Sequence, residues 1–108
     1  MLPEKPRARR YVFVANIELI DVESERKLRE QTCDLSLFGC QVKCVEPPAA
    51  GTKVRLKITY KGAAFTAWGR IANVRGNSMG VVFTTVADKD QTVLEKWMAE
   101  LRGVPIYQ

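Results

Sequence analysis

The stretch Lys53-Val54-Arg55-Leu56-Lys57-Ile58-Thr59-Tyr60 alternates polar and apolar side chains without interruption. Because successive side chains of a strand point to opposite faces, this period of two predicts a β-strand with one face in a core and the other in water. Lys61-Gly62 follows and predicts a hairpin turn. Residues 63–74 alternate as well, and Gly69 inside them predicts a bulge or a sharp bend. An antiparallel hairpin is therefore expected at the centre of the chain.

Four further strands are predicted around this hairpin. Residues 11–20 alternate and are rich in Val, Ile, Tyr and Phe, which favours a strand that is apolar on both faces at its start. The next segment, 27–34, is more polar and is expected to be near an edge of the sheet or one-sided. Residues 40–44 and 79–83 predict two more strands. Loops and turns are expected at 21–25, 34–39, 46–52 and 75–78.

The C-terminal part changes to a helical period. Four apolar residues are spaced i, i+3, i+4 and i+7, as on one face of an amphipathic helix: Leu94, Trp97, Met98 and Leu101. Asp88 and Gln91 resemble a capping box, and Gly103 stands where a C-terminal glycine belongs. We predict a helix over about 88–102 that lies across an open end or face of the sheet.

These elements together predict a mainly β fold. The expected architecture is a small six- to seven-stranded antiparallel β-barrel with a C-terminal α-helix, because many short strands at even spacing favour closure into a barrel. A chain of 108 residues corresponds to one domain, and we assign it to residues 11–103. Trp68 and Trp97 are both predicted to pack in the core or under the helix.

Composition excludes several classes of function. The 46% hydrophobic and 27% charged fractions are typical of a soluble globular protein, and no apolar run approaches the ~18 residues of a membrane span. No signal-like segment follows Met1, so we expect a cytoplasmic location without membrane insertion. Three cysteines and no histidine provide fewer than the four ligands of a usual structural zinc site, and the usual general base near neutral pH is absent. We therefore expect no metal, no cofactor and no enzymatic activity. The cysteines, Cys33, Cys40 and Cys44, are expected to be small buried strand residues.

The net charge of +5 is concentrated at the N-terminus. Residues 1–10 carry one anion, Glu4, and four cations, namely Lys5, Arg7, Arg9 and Arg10. We interpret this segment as a flexible basic arm, since Pro6 and the lack of any periodicity argue against regular structure. On charge alone, a solvated tail and a local site for an anion are equally supported.

The turn Asp34-Leu35-Ser36-Leu37-Phe38-Gly39 is the second polar feature. Asp34 and Ser36 accept local backbone hydrogen bonds in turns, and Gly39 is predicted to supply a positive φ. Taken singly, these residues are turn formers. Together with the basic arm they suggest a site for an anionic ligand that carries hydrogen-bond donors.

Asp34-x-Ser36-x-x-Gly39 resembles the second motif of PilZ domains, the bacterial receptors for cyclic di-GMP, which has the form Asp/Asn-x-Ser-x-x-Gly. Other segments are similar to that family in the same order: the basic arm, residues 51–56 after a proline-containing loop, residues 79–83 as the last barrel strand, and a terminal amphipathic helix. The resemblance implies a non-enzymatic cyclic di-GMP receptor in bacterial second-messenger signalling, with motility and biofilm formation as the expected processes.

The first family motif, Arg-x-x-x-Arg, is altered in this chain. One register gives Lys5-x-x-x-Arg9, and the other gives Pro6-x-x-x-Arg10. We favour the second because the family's second arginine directly precedes the first strand, as Arg10 precedes Tyr11 here. Losing one bidentate arginine–guanine contact lowers binding by about 1–3 kcal/mol, by analogy with DNA readout.

The resemblance implies a set of ligand-binding residues: Arg7, Arg9, Arg10, Asp34, Ser36 and Gly39, with Lys5 as a further candidate. Asp34 is expected to accept from a guanine edge, Ser36 to add a hydroxyl contact, and Gly39 to bring the backbone close to the ligand. The arginines are expected to cover the phosphates and to stack on a base. Ordering of the arm on binding would then be the signal passed to a downstream protein, with the chain a monomer or homodimer.

Two other functions remain open at this point. A degenerate PilZ-like domain that does not bind cyclic di-GMP would act through protein–protein interaction, for example in type IV pilus or motility regulation, and the altered arginine motif supports it. A small basic barrel that binds single-stranded nucleic acid is the other. It would interleave exposed aromatics with cations, but near the cations of residues 53–57 the sequence offers only Tyr60, so no nucleic-acid partner is expected.

Overall fold

The structure, a computed structural model, describes residues 9–103. This range contains seven strands followed by one helix. Their bounds are β1 Tyr11–Val12, β2 Asn16–Asp21, β3 Lys27–Leu35, β4 Gly39–Lys43, β5 Lys53–Tyr60, β6 Ala63–Arg75, β7 Ser78–Thr85 and α1 Asp88–Leu101. The predicted mainly β fold with a C-terminal helix is confirmed.

Six strands close into an antiparallel barrel in the order β3-β2-β5-β6-β7-β4, and β4 returns to pair with β3. The two-residue strand β1 is an addition that pairs with β3. The strand predicted to be near an edge or one-sided is β3, which has neighbours on both sides only over its second half, whereas residues 27–30 pair with β2 alone. Exposed and part-buried residues alternate in this first half, as in a one-sided strand. The first half of this nine-residue strand pairs with β2, and the second half pairs with β4.

The alternation of β5 and β6 produces the core as predicted. Val54, Leu56 and Ile58 are buried on β5, and Phe65 and other inward residues of β6 pack against them. The predicted irregularity at Gly69 is confirmed, since the β6–β7 register shifts between Trp68 and Gly69. A Cβ atom at Gly69 would lie 2.9 Å from the carbonyl oxygen of Val82, so only glycine fits at this bend.

The segment predicted as one strand over 11–20 is divided into β1 and β2. Its alternation is confirmed, because Phe13, Ala15 and Ile17 are all buried. The strand is interrupted because the buried side chain of Thr32 enters the ladder. Its hydroxyl donates to the carbonyl oxygen of Phe13 at 2.6 Å and accepts from the backbone N–H of Ala15 at 3.0 Å.

Helix α1 covers the barrel core with the face predicted from its periodicity. Leu94, Trp97 and Met98 are buried, and Leu101 is half-buried. The ring of Trp97 lies in an aromatic cluster, with centroid distances of 5.5 Å to Phe13, 5.8 Å to Tyr60 and 6.4 Å to Phe65. Such tilted and edge-on contacts add to the area that the rings bury, and they fix the helix on the barrel.

The ends of α1 differ in how well they were predicted. Gly103 follows the helix with φ of 73°, as expected for a C-terminal glycine. The predicted capping box is wrong. The N-cap is Ala87, whose methyl group cannot accept a hydrogen bond, and Asp88 is already inside the helix. Gln91 donates to Glu95 instead of reaching back to the helix start.

Asp90 makes a contact that the sequence did not suggest. Its side chain is buried, and one carboxylate oxygen accepts from the backbone N–H of Thr66 at 2.9 Å and from the Thr66 hydroxyl at 3.1 Å. Thr66 lies on β6 beyond the point where β7 ends. Asp90 thus takes the place of a missing strand partner, and its charge also lies in the first helical turn, where the helix dipole favours an anion.

The cysteines are free, and two of the three are buried as predicted. Burial, assisted by the nearby negative charge of Asp34, raises the pKa of Cys40 to about 12, so this thiol stays protonated at neutral pH. Cys33 is partly exposed. Within residues 9–103 no helix is long and apolar enough to cross a membrane.

The contact between Asp90 and Thr66 generates a stability prediction. We expect Asp90→Ala to lower the free energy of unfolding by about 1–3 kcal/mol, because it leaves the Thr66 donors unpaired and removes a buried acceptor. Asp88→Ala is the matched control, since Asp88 is exposed in the same helical turn and carries the same charge. Urea unfolding of both variants measures the difference, and equal losses would show that only the helix dipole matters.

Candidate ligand-binding site

A β-bulge in β3 directs Asp34 to the outside of the barrel. Thr32 pairs with Val42 and Asp34 pairs with Gln41, which leaves Cys33 as an extra residue without a partner on β4. Without the bulge, strict alternation from the buried Thr32 would turn Asp34 inward. The inserted residue reverses the phase, so that Leu35 is buried and Asp34 faces outward. Burial at both Thr32 and Leu35, three positions apart, is the signature of this change.

The carboxylate of Asp34 is held by one of its two oxygens. Oδ1 accepts from Nη1 of Arg10 at 2.9 Å and from the backbone N–H of Gln41 at 2.9 Å. Oδ2 accepts no hydrogen bond from any residue between 9 and 103. The Asp34 side chain is 26% exposed. The group is therefore fixed in orientation while one acceptor oxygen remains available.

Ser36 is turned into the 34–39 turn rather than toward solvent. It is only 4% exposed. Its hydroxyl accepts from the backbone N–H of Phe38 at 3.2 Å and donates to the carbonyl oxygen of Gly39 at 3.3 Å. The backbone N–H of Ser36 also donates to that carbonyl at 2.8 Å. The serine of the motif holds the turn that joins β3 to β4.

Gly39 serves a different purpose from the one expected. Its φ is not positive, so the prediction of a left-handed residue is wrong; the positive-φ glycines of the described residues are Gly51, Gly62, Gly76 and Gly103. A Cβ atom at Gly39 would instead collide with the carbonyl oxygen of Val81. Glycine is required here because the start of β4 approaches the backbone of β7 too closely for any side chain.

The side chains of the two described arginines of the arm, Arg9 and Arg10, contact different parts of the domain. Arg10 reaches Asp34, whereas Arg9 borders a small cleft of about 220 Å³ together with Tyr11, Leu37, Met98 and Arg102. The structure thus brings Arg10 together with the motif aspartate and places Arg9 beside the turn and the end of α1. Lys5 and Arg7, the other predicted cations of the site, lie outside the described residues.

A row of polar groups extends from Asp34 across the outer face of the barrel. Strand register aligns Asp34 with Gln41, Gln41 with Gly80, and Gly80 with Asn73. The Gln41 amide donates to the Ser78 hydroxyl at 3.0 Å. The Asn73 amide covers Gly80, because a Cβ there would lie 2.9 Å from Asn73 Nδ2. We call Asp34, Gln41, Gly80 and Asn73 the polar row.

A groove of about 790 Å³ begins next to Asp34 on the other side, at Cys33 and Val14. It is lined further by polar side chains of β2, β3, β4 and β5 that include cations and carboxylates: Asn16, Gln31, Arg29, Lys43, Lys57, Glu18 and Glu30. Its size lies within the ~300–1,000 Å³ of small-molecule sites. Sequence reasoning missed both the groove and the polar row, because each depends on strand register.

The arrangement combines an available carboxylate oxygen with exposed cations and amides. Such a set can accept hydrogen bonds from N–H groups of a ligand and donate to its anionic oxygens. Among residues 9–103 no cluster of three His, Cys, Asp or Glu side chains could hold a metal ion. The chemistry offered by the site is recognition of a polar anion.

Known structures with a similar fold include PilZ domains. The PilZ domain of CeSA from a cellulose-synthesizing bacterium is similar with a TM-score of 0.70 and 17% identity, over 89% of this chain and 97% of that chain. The PilZ domain of Escherichia coli YcgR with c-di-GMP gives 0.72 and 15%, over 93% of each chain. The Bacillus subtilis inhibitor of motility MotI/DgrA gives 0.76 and 14%, over 93% of this chain and 52% of that one.

Two comparisons of the sequence give different results. No curated protein sequence matches the chain. The family model of the PilZ domain, however, matches residues 4–100, which is most of its length. The chain belongs to the PilZ domain family.

Proposed function

We propose that this chain is a non-enzymatic receptor for cyclic di-GMP. The observation that carries the proposal is that only one carboxylate oxygen of Asp34, Oδ1, accepts hydrogen bonds from the described residues. Oδ2 therefore remains available beside the guanidinium of Arg10. Membership of the PilZ family and the c-di-GMP present in the YcgR structure support cyclic di-GMP as the ligand. Guanine carries N–H donors on one edge and acceptors on another, and the ligand as a whole is an anion.

Asp34 would recognise one guanine through its Watson–Crick edge. A carboxylate accepts from adjacent N–H donors, and hydrogen bonds to a charged group contribute about 1.5–3 kcal/mol. The bond from the Gln41 N–H holds the carboxylate in place before the ligand arrives. Little side-chain ordering is then needed on binding, which favours affinity.

Arg10 would exchange partners when the ligand binds. In the structure it is paired with Asp34, and the two side chains are 53% and 26% exposed. An ion pair this accessible to solvent contributes only about 0–1 kcal/mol. A phosphate or the acceptor edge of guanine can therefore take Arg10 from Asp34 at low cost, while Asp34 receives the donors of the base.

The remaining cations of the arm would contact the phosphates. Arg9, Arg7 and Lys5 are the candidates, with Arg7 or Lys5 replacing the first arginine of the family motif. Lysine is a point charge and lacks the planar fork of arginine, so we expect weaker binding than an intact motif would give, by one to two decades for a loss of about 1–3 kcal/mol. Ordering of this arm on binding is the proposed signal.

The polar row and the groove offer two directions for the rest of the ligand. The amides of Gln41 and Asn73 carry both donors and acceptors and can pair with either edge of a guanine. The groove carries cations and an apolar border at Val14. We favour the polar row for the base held next to Asp34, because register places these amides in line with it.

The proposal includes the wider setting expected from the sequence. Residues 11–103 act as one binding domain, in the cytoplasm, as a monomer or homodimer, and the signal passes to a downstream protein. Motility is the process favoured by the similarity to MotI/DgrA, whose name describes an inhibitor of motility.

Calorimetric titration with cyclic di-GMP tests the proposal. We expect saturable binding that is absent with GTP. Arg10→Ala and Asp34→Ala should each weaken binding by about tenfold or more, since each removes a charge-assisted hydrogen bond. Arg70→Ala is the matched control: it removes an exposed arginine on β6 that is not part of the site, and we expect unchanged affinity.

Two outcomes would contradict the proposal. Absence of heat at high ligand concentration would favour the degenerate PilZ-like domain, which acts through protein contacts alone. Equal weakening by Arg70→Ala and Arg10→Ala would indicate general attraction of an anion to a basic protein rather than a site at Asp34.

Ser36→Ala separates the turn from the ligand. Because the Ser36 hydroxyl is buried and paired with Phe38 and Gly39, we expect this variant to lose about 1–2 kcal/mol of unfolding free energy. Its affinity, corrected for the folded fraction, should change by less than about threefold, which corresponds to less than one hydrogen bond. Urea unfolding measures the change in stability, and calorimetry measures the change in affinity. A large loss of affinity at unchanged stability would instead indicate that Ser36 contacts the ligand directly.

A further inference from the structure

The outer face of β5 and β6 carries a group of cations around an exposed tryptophan. Its members are Lys53, Arg55, Lys57, Arg70 and Trp68, which we call the basic face. All five are exposed. They follow from the alternation of the two strands, whose other side chains form the core. None of them belongs to the polar row or to the 34–39 turn.

Strand register places like charges next to each other on the basic face, which is electrostatically unfavourable. Lys53 lies directly opposite Arg70, and like charges in this position repel. Within the described part of the chain, no carboxylate lies within salt-bridge distance of any of the four cations. Glu18 is opposite Lys57 in register, but it contacts Lys27 at 3.8 Å and Arg29 at 3.4 Å instead. The charge of this face is thus uncompensated.

Trp68 departs from the expectation of core packing. It is 46% exposed, whereas Trp97 is buried, because Trp68 occupies an outward position of β6. The guanidinium carbon of Arg55 lies 4.8 Å from the centroid of the Trp68 ring, in a cation–π contact. This contact holds the ring on the sheet and keeps a large apolar surface presented to solvent.

A groove of about 390 Å³ runs beside Trp68 toward the start of α1. Its lining includes Trp68, the cations Arg55 and Lys57, and the carboxylates of Glu18 and Asp90. Both carboxylates are paired elsewhere, since Glu18 contacts Lys27 and Arg29 and Asp90 accepts from Thr66. The exposed ring of Trp68 can therefore pack against an apolar side chain of a partner, and flanking carboxylates can pair with the cations of the basic face.

We propose that the basic face docks an acidic segment of a partner protein, with one large apolar side chain of that segment packed against Trp68. The carboxylates flanking this anchor pair with Arg55 and Lys57, and more distant ones pair with Lys53 and Arg70. Tryptophan and arginine are the residues that most often dominate the energy of protein interfaces, and here they lie side by side. Charge complementarity is the argument that selects an acidic segment.

A protein partner fits this face better than a nucleic acid. Proteins that bind single strands present several aromatic rings in succession for stacking, whereas Trp68 is the single exposed aromatic of the basic face. Strand addition is also excluded on this face, because β5 and β6 are paired with neighbours on both sides.

Fluorescence anisotropy with three labelled probes tests the proposal. The first is a glutamate-rich peptide with a central phenylalanine, the second is the same peptide with alanine at that position, and the third is an oligo-dT strand of equal charge. We expect the phenylalanine peptide to bind most tightly. Trp68→Ala and Arg55→Glu should each weaken it by about tenfold, as anchor residues do. Arg10→Ala removes a cation that pairs with Asp34 and is not part of the basic face, so it should leave peptide binding unchanged.

Thermal unfolding of each variant establishes that it folds, and Lys53→Glu provides a second charge reversal that leaves the Trp68–Arg55 contact in place. Preferential binding of the phenylalanine peptide that depends on Trp68 and on both charge reversals supports the proposal. Tighter binding of oligo-dT would overturn it in favour of a nucleic-acid surface. Equal binding of the two peptides, or binding insensitive to Trp68→Ala, would reduce it to non-specific attraction. Because the peptides contain no nucleotide, these outcomes are independent of cyclic di-GMP binding.

Discussion

The pairing of β3 with β4 is the interaction on which the rest of the structure depends. It closes the barrel, since the other strands form a continuous sheet that would otherwise keep two open edges. The same pairing contains the bulge at Cys33 that turns Asp34 outward. It also requires the tight 34–39 turn, which Ser36 stabilises from inside and Gly39 makes possible against β7. Closure of the fold and outward exposure of the Asp34 carboxylate are thus consequences of one strand pair.

The three residues of the Asp-x-Ser-x-x-Gly motif consequently have different roles. Asp34 alone presents an available acceptor, whereas Ser36 and Gly39 determine how β3 is connected to β4. Two of the three motif residues therefore have a structural role that needs no ligand, and this role can be read from the turn itself.

The local periods of the sequence predicted the elements well, and the places where prediction failed share a cause. Burial of Val54, Leu56, Ile58, Leu94 and Trp97 followed from side-chain alternation and helical spacing. The bulge at Cys33, the Thr32 hydroxyl in the ladder and the Asp90–Thr66 contact did not. Each of these depends on which strand lies beside which and in what register, and a single sequence carries that information only weakly. For the candidate site, composition and resemblance singled out Asp34 and Arg10, which the structure places in contact, but they did not indicate the polar row.

The contrast between the two tryptophans has a practical consequence for spectroscopy. Trp97 is enclosed by aromatic rings under the helix, while Trp68 is 46% exposed beside a guanidinium. The emission of an indole shifts to longer wavelength with contact to water, so the two side chains should contribute separable blue and red components. The native chain therefore contains two optical probes: one reports on the attachment of the helix to the barrel, and the other reports on occupancy of the outer surface.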